Sequence, residues 1–230
     1  MEHHLSIEES IRFGWVKTRE HSTLIFKALL TLFGVQIAEQ IVARVLVGTL
    51  EGAVAAVILL VLTVVLAIGF TNIVLKLAEG KHATYQDLVP PLAVWLSYLG
   101  AALLAVLISV LPLLAALLVC LVAIATLPQM LAMGVCVFVA AAALVASVYL
   151  GLRYAFVRFA ILDDTDIIKS LRTSAHLSKG IKWWLIAFTI VIVLLNLLGA
   201  LLFLVGLLVS MPVTLFAFAH VYVKMRSHHA

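Results

Sequence analysis

Three aspartates within four positions, Asp163, Asp164 and Asp166, form the densest acidic group in the chain. Carboxylates so grouped could hold Mg²⁺ for phosphate or diphosphate chemistry, because a hard cation takes oxygen ligands. Such a site normally draws further carboxylates from a second helix, and no second cluster exists. Glu79 and Asp87 are isolated, while Glu8 and Glu9 suit the first turn of a helix capped by Ser6. The competing use of the aspartates is structural: they end one helix and cap another starting near Ile167, placing negative charge at its positive end.

A second group of chemically capable residues lies inside apolar runs, where a polar side chain is costly enough to need a reason. Gln36, Glu39, Gln40 and Arg44 fall on one side of a single span, and Asn72, Asn196 and His220 are the other strongly polar intramembrane residues. They could line a path for a solute or lipid, with Glu39 as a proton relay. They could equally be interhelical glue worth about 1 kcal/mol per amide, with Arg44 reaching outer headgroups, Glu39 paired to it or protonated, and His220 packed or snorkelling. Cys120 and Cys136 have no neighbouring His or Cys and read as inert thiols. The pairs His3-His4 and His228-His229 are too short and too terminal to indicate a metal. No Gly-rich phosphate loop, Gly-x-Ser-x-Gly elbow or His-Glu-x-x-His helix occurs, so no catalytic residue, cofactor or metal is expected.

The elements that must carry these residues follow from composition. The 230 residues are 65% hydrophobic and only 11% charged, with mean hydropathy +1.25, more apolar surface than a water-soluble domain could hide. Windows of about 20 residues, enough to cross roughly 30 Å of hydrocarbon, mark spans near 24–48, 53–77, 92–122, 130–158, 183–203 and 206–224. Residues 92–127 are long enough for one bent crossing or for two, with Pro112 as the dividing point. The expectation is an all-α integral membrane bundle of about six spans. The opening residues lack the apolar core and small-residue cleavage site of a signal peptide, so the first span is expected to serve as signal and anchor.

Charge tests that count. The net charge of +4 and pI of about 9.2 could suggest nucleic acid, but membrane orientation accounts for nearly every cation, so no nucleic-acid partner is expected. With six spans, all Lys and Arg except Arg44 fall on or beside one face, and Trp15, Trp95, Trp183 and Trp184 sit at that same interface. A bacterial cytoplasmic membrane with both termini cytoplasmic is the implied location.

Two segments, 6–22 and 164–180, read as amphipathic helices in the headgroup layer. In the second, Ile167, Ile168, Leu171 and Ala175 make an apolar side and Lys169, Arg172, His176 and Lys179 a basic one. Gly180 is a stop, and Lys182, Trp183 and Trp184 anchor the next span. A shift of 160 residues lays Ser10-Ile11-Arg12 on Ser170-Leu171-Arg172, Arg19 on Lys179 and Gln36 on Asn196. A middle unit would start at Thr84 to Asp87, giving a three-fold repeat of interfacial helix plus two spans. Small residues in Val139 to Ser147 and Gly100-Ala101-Ala102 suit close packing within the chain, in a homo-oligomer, or against a membrane-protein partner.

The strings "YAFVRFAILDD", "SLRTSAHLSKGIKWW" and "GLLVSMPVTLFAFAHVYVKM" resemble a group of uncharacterised bacterial six-span proteins related to the membrane domain of glycerophosphoryl diester phosphodiesterases. The likeness is clearest from Tyr149 onward. That group often opens its fourth span with Pro-Gly, where this chain has Pro128-Gln129. The resemblance implies a membrane anchor or scaffold, carries over no catalytic residue, and leaves no length for the soluble phosphodiesterase domain. The expected function is non-enzymatic: membrane organisation, lipid handling or partner scaffolding on anionic headgroups. The alternatives are a small transporter or channel using the polar side of span 1, and an enzyme on phosphorylated lipids using the three aspartates.

Overall fold

The computed structural model describes residues 6–46, 48–202 and 205–229, with all their side chains except those of residues 205, 228 and 229. His3 and His4, and the side chains of His228 and His229, therefore lie outside the described residues. Among the described residues all regular structure is helical, as lipid demands, since each spanning segment must satisfy its own backbone groups. In chain order the helices are α1 (Ile7–Glu20), α2 (Ser22–Val45), α3 (Leu50–Ala78), a 3-10 turn (Tyr85–Leu88), α4 (Leu92–Thr126), α5 (Gln129–Arg153), α6 (Val157–Asp163), α7 (Ile167–Leu177), α8 (Lys182–Leu201) and α9 (Val205–His229). Six segments are long and apolar enough to cross a membrane: α2, α3, α4, α5 continued through α6, α8, and Gly206–Ser227 of α9.

One open alternative closes in favour of a single crossing, and two expectations change. Residues 92–126 form one helix running through Pro112, so this stretch makes a single segment about 52 Å long at ~1.5 Å per residue. The fourth span is not continuous to 158: α5 ends at Arg153 and α6 restarts at Val157. The middle repeat has no amphipathic helix, only the turn at Tyr85–Leu88, although Thr84 and Asp87 do form the expected capping box. That stretch of chain is too short and too rich in proline (Pro90, Pro91) for a full helix.

The chain divides into two compact units, residues 1–95 with 187–230, and residues 96–186. In the first, Ile25, Ile68, Ile73, Val74, Phe216 and Tyr222 are fully or nearly fully buried. There α1 packs on α9 so closely that a Cβ at Gly14 would lie 2.2 Å from the Val213 carbonyl oxygen. The 3-10 turn packs on α3 in the same way, with a Cβ at Gly69 falling 1.8 Å from the Leu88 carbonyl oxygen. Ion pairs fasten one end of this unit: Glu9 to Lys224 at 3.1 Å, Asp87 to Lys76 at 2.6 Å, and Glu79 to both Arg226 at 2.5 Å and Lys81 at 2.6 Å. Glu79 and Asp87, isolated in sequence, thus acquire partners by folding.

In the second unit Ala101, Val157 and Ile161 form a buried cluster covered by Ile167 and Leu171. Most of α4 and α5 is left exposed, with Leu111, Met130 and Phe138 all well open, which suits lipid-facing surface. Cys120 and Cys136 are free, each thiol 3.9 Å from the other's carbonyl oxygen.

Candidate functional site: a serine-seated basic helix and a cationic cleft

The aspartates are occupied by the fold. Asp166 caps α7, its Oδ1 accepting from the Ile168 and Lys169 backbone N–H groups at 2.9 and 3.1 Å. Asp164 accepts from the Asp166 N–H at 3.3 Å and pairs with the Lys169 ammonium. The Lys169 hydrogen bond, then the Asp166 N–H, holds the Asp164 carboxyl below the usual carboxylate range. This is the capping arrangement expected from the spacing.

Behind that cap, α7 is held by polar atoms as well as by Ile167 and Leu171 of its apolar side. Ser170, Ser174, Leu177 and Ser178 are buried, Ile167 and Leu171 pack on the core cluster, and only Ile168 of the expected apolar side is exposed, so the packing face joins part of that side to a row of serines. The reason lies in the break between α5 and α6, which frees backbone groups. The Ser174 hydroxyl donates to the Arg153 carbonyl at 3.1 Å and accepts from the Phe156 N–H at 3.2 Å. Ser178 Oγ lies 3.2 and 3.1 Å from the Leu152 and Arg153 carbonyl oxygens. A buried backbone group left unpaired costs about 1–3 kcal/mol, so these hydroxyls stabilise the break and the docking together.

The seated helix turns Lys169, Arg172, His176 and Lys179 outward, all exposed. Lys169 is engaged by Asp164, while among the described residues no carboxylate pairs with Arg172 or Lys179. Gly180 ends the segment at φ +95°, a conformation glycine reaches without Cβ strain. The chain then enters α8 at Lys182, with Trp183 87% exposed and Trp184 half-buried.

Beside it lies a feature missed from sequence. Leu144, Val145, Val148, Leu185 and Ile186 wall an apolar cleft of about 500 Å³ between α5 and the start of α8, and Tyr149, Arg153, Ser178 and Lys182 stand with them. The Lys182 ammonium donates to the Tyr149 hydroxyl at 2.6 Å and sits 4.3 Å from that ring's centroid. The four-residue spacing of Tyr149 and Arg153, one helical turn, was the available signal; pairing them with Lys182 needed the fold.

The intramembrane candidates separate. Gln36, Glu39, Gln40 and Arg44 do share one groove of about 680 Å³ with Leu60 and Thr63 of α3. Glu39 takes a hydrogen bond from Thr63 at 3.4 Å and makes no ion pair with Arg44, one of the two options its position allowed, and Gln36, Gln40 and Arg44 are exposed. Asn196 is glue as expected: its Oδ1 accepts from Ser210 at 2.9 Å and its amide lies 3.3 Å from Thr214 Oγ1, joining α8 to α9. Gln36 instead faces outward, and Asn72 is half-buried in α3. His220 is packed, stacked on Phe13 with centroids 4.3 Å apart and its Nε2 3.8 Å from Glu9.

Comparison with protein-family models, with curated proteins and with solved structures found no match.

Proposed function

We propose that this is a non-enzymatic multi-pass protein of a bacterial cytoplasmic membrane that organises or handles lipid, or scaffolds a partner, by holding anionic headgroups against α7. The observation that carries this reading is the outward display of Arg172 and Lys179 without carboxylate partners on a helix fixed by three buried serines. Near an anionic leaflet each basic residue gains about 1 kcal/mol, and a rigidly seated helix keeps that gain directed at one face. Lys182, Trp183 and Trp184 are the residue types that settle at headgroup depth. The phosphodiesterase-membrane-domain resemblance fits an anchor or scaffold of this kind. Transport along the polar groove of α2 ranks second, because three of its four polar residues open outward instead of lining an enclosed path.

Purification in lipid nanodiscs of mixed phosphatidylglycerol and phosphatidylcholine tests the reading. Co-isolated lipid should be enriched in phosphatidylglycerol, and Arg172→Gln with Lys179→Gln should reduce that enrichment severalfold. Enrichment unchanged by the double substitution removes α7 as the contact.

A further inference from the structure

We propose that the cleft headed by Tyr149, Arg153 and Lys182 binds one anionic glycerophospholipid, with the phosphate at the cations and an acyl chain along the apolar wall. The proposal rests on the reading that this end of the molecule meets anionic lipid, and goes beyond it from a diffuse surface to a stoichiometric site.

Three observations define the occupant. Among the described residues neither Arg153 nor Lys182 has a carboxylate within ion-pairing distance, so two fixed positive charges await an anion. Their geometry is prepared: Lys182 is held on the Tyr149 ring and hydroxyl. Because the phenol oxygen accepts from Lys182, its own proton remains to donate, adding a third donor to the guanidinium and ammonium. A phosphate oxyanion is the group such donors suit, and arginine can engage it with two parallel bonds.

Beneath the donors the wall is aliphatic: Leu144, Val145, Val148, Leu185 and Ile186. The volume of about 500 Å³ lies within the roughly 300–1,000 Å³ usual for ligand sites. Free inorganic phosphate would leave that wall unused, and an uncharged lipid would leave the cations unanswered. Trp183, almost wholly exposed beside the cleft, is the side chain expected at the level where a headgroup meets its chains. Ser178 takes no part in recognition, because its hydroxyl is engaged by the Leu152 and Arg153 carbonyl groups.

Native mass spectrometry of the full chain in mild detergent tests this with phosphatidylglycerol, phosphatidylcholine and inorganic phosphate as probes. One phosphatidylglycerol should survive activation that strips the other lipids, with phosphatidylcholine retained at least tenfold less and phosphate unable to compete. Arg153→Gln with Lys182→Gln should weaken retention at least tenfold, whereas Arg153→Lys with Lys182→Arg should preserve most of it. Val148→Trp, which fills the wall and spares the cations, should also abolish retention. Unchanged retention in both the charge-removing and the wall-filling variants overturns the proposal, as does equal retention of phosphatidylcholine. Competition by inorganic phosphate together with an unaffected Val148→Trp variant also overturns it, showing an anion site without a chain. The Arg172→Gln and Lys179→Gln protein separates the two readings: it should lose bulk enrichment but keep the single bound lipid. Losing that lipid only on α7 substitution leaves the surface reading standing and removes the cleft.

Discussion

Glu79 has only 6% of its side chain exposed, between Lys81 and Arg226. Burial alone would push its carboxyl up, yet hydrogen bonds from both cations outweigh it and hold the group below its ordinary value. A carboxylate whose folded pKa is depressed stabilises the fold fully above the unfolded value, about 4.3 for Glu. That stability is lost as pH falls through the folded value. Melting temperature in detergent should therefore drop as pH is taken from about 7 to below about 4. Glu79→Gln should lose about 1 kcal/mol at neutral pH and show a shallower acid decline. An acid decline as steep as the parent's would assign the effect to other carboxylates such as Glu9 and Asp87, which their lysine partners also hold low. The Arg226 pairing was not legible in sequence, since Glu79 and Arg226 are far apart along the chain, although Lys81 stands only two residues from Glu79. By contrast, the roles of Ser6 and Asp166 as caps were, because a cap acts within three residues of itself.

At the scale of elements, α1 and α7 are built alike, 160 residues apart. Ser10, Gly14 and Thr18 are buried in α1, and Ser170, Ser174 and Ser178 occupy the matching buried positions around α7. The local bonds repeat as well: Thr18 to the Gly14 carbonyl at 2.8 Å, and Ser178 to the Ser174 carbonyl at 2.9 Å. The repeat was visible as a few identities, but the buried row of small and hydroxyl residues in its packing face was not. Helical amphipathicity ranks faces by hydrophobicity, whereas backbones that approach closely select small residues. Gly14→Val should cost about 1–3 kcal/mol by overpacking, because its Cβ would meet the Val213 carbonyl oxygen. Thermal melting against an exposed Arg12→Ala control, expected within about 0.5 kcal/mol of the parent, checks this. Equal stability of the two variants would mean that α1 is not docked through Gly14.

For the whole molecule, six candidate spans and the one-sided cations support the proposal that both termini face the cytoplasm. Tags at the two ends should both be shielded from an impermeant reagent in intact cells and both labelled after lysis. Labelling of only one end in intact cells removes the assignment, and with it the inner-leaflet setting of α7. By itself the sequence determined the all-helical, membrane-like class, the six candidate spans, and the caps at Ser6, Thr84 and Asp166. Each of those depends on composition within about 20 residues or on hydrogen bonds between near neighbours. Only the tertiary structure decided that α5 breaks before α6, that serines seat α7 on the break, and that Tyr149, Arg153 and Lys182 meet over an apolar wall. Those outcomes depend on which backbone groups are left unpaired and which distant surfaces come together, and no local pattern of residues encodes either.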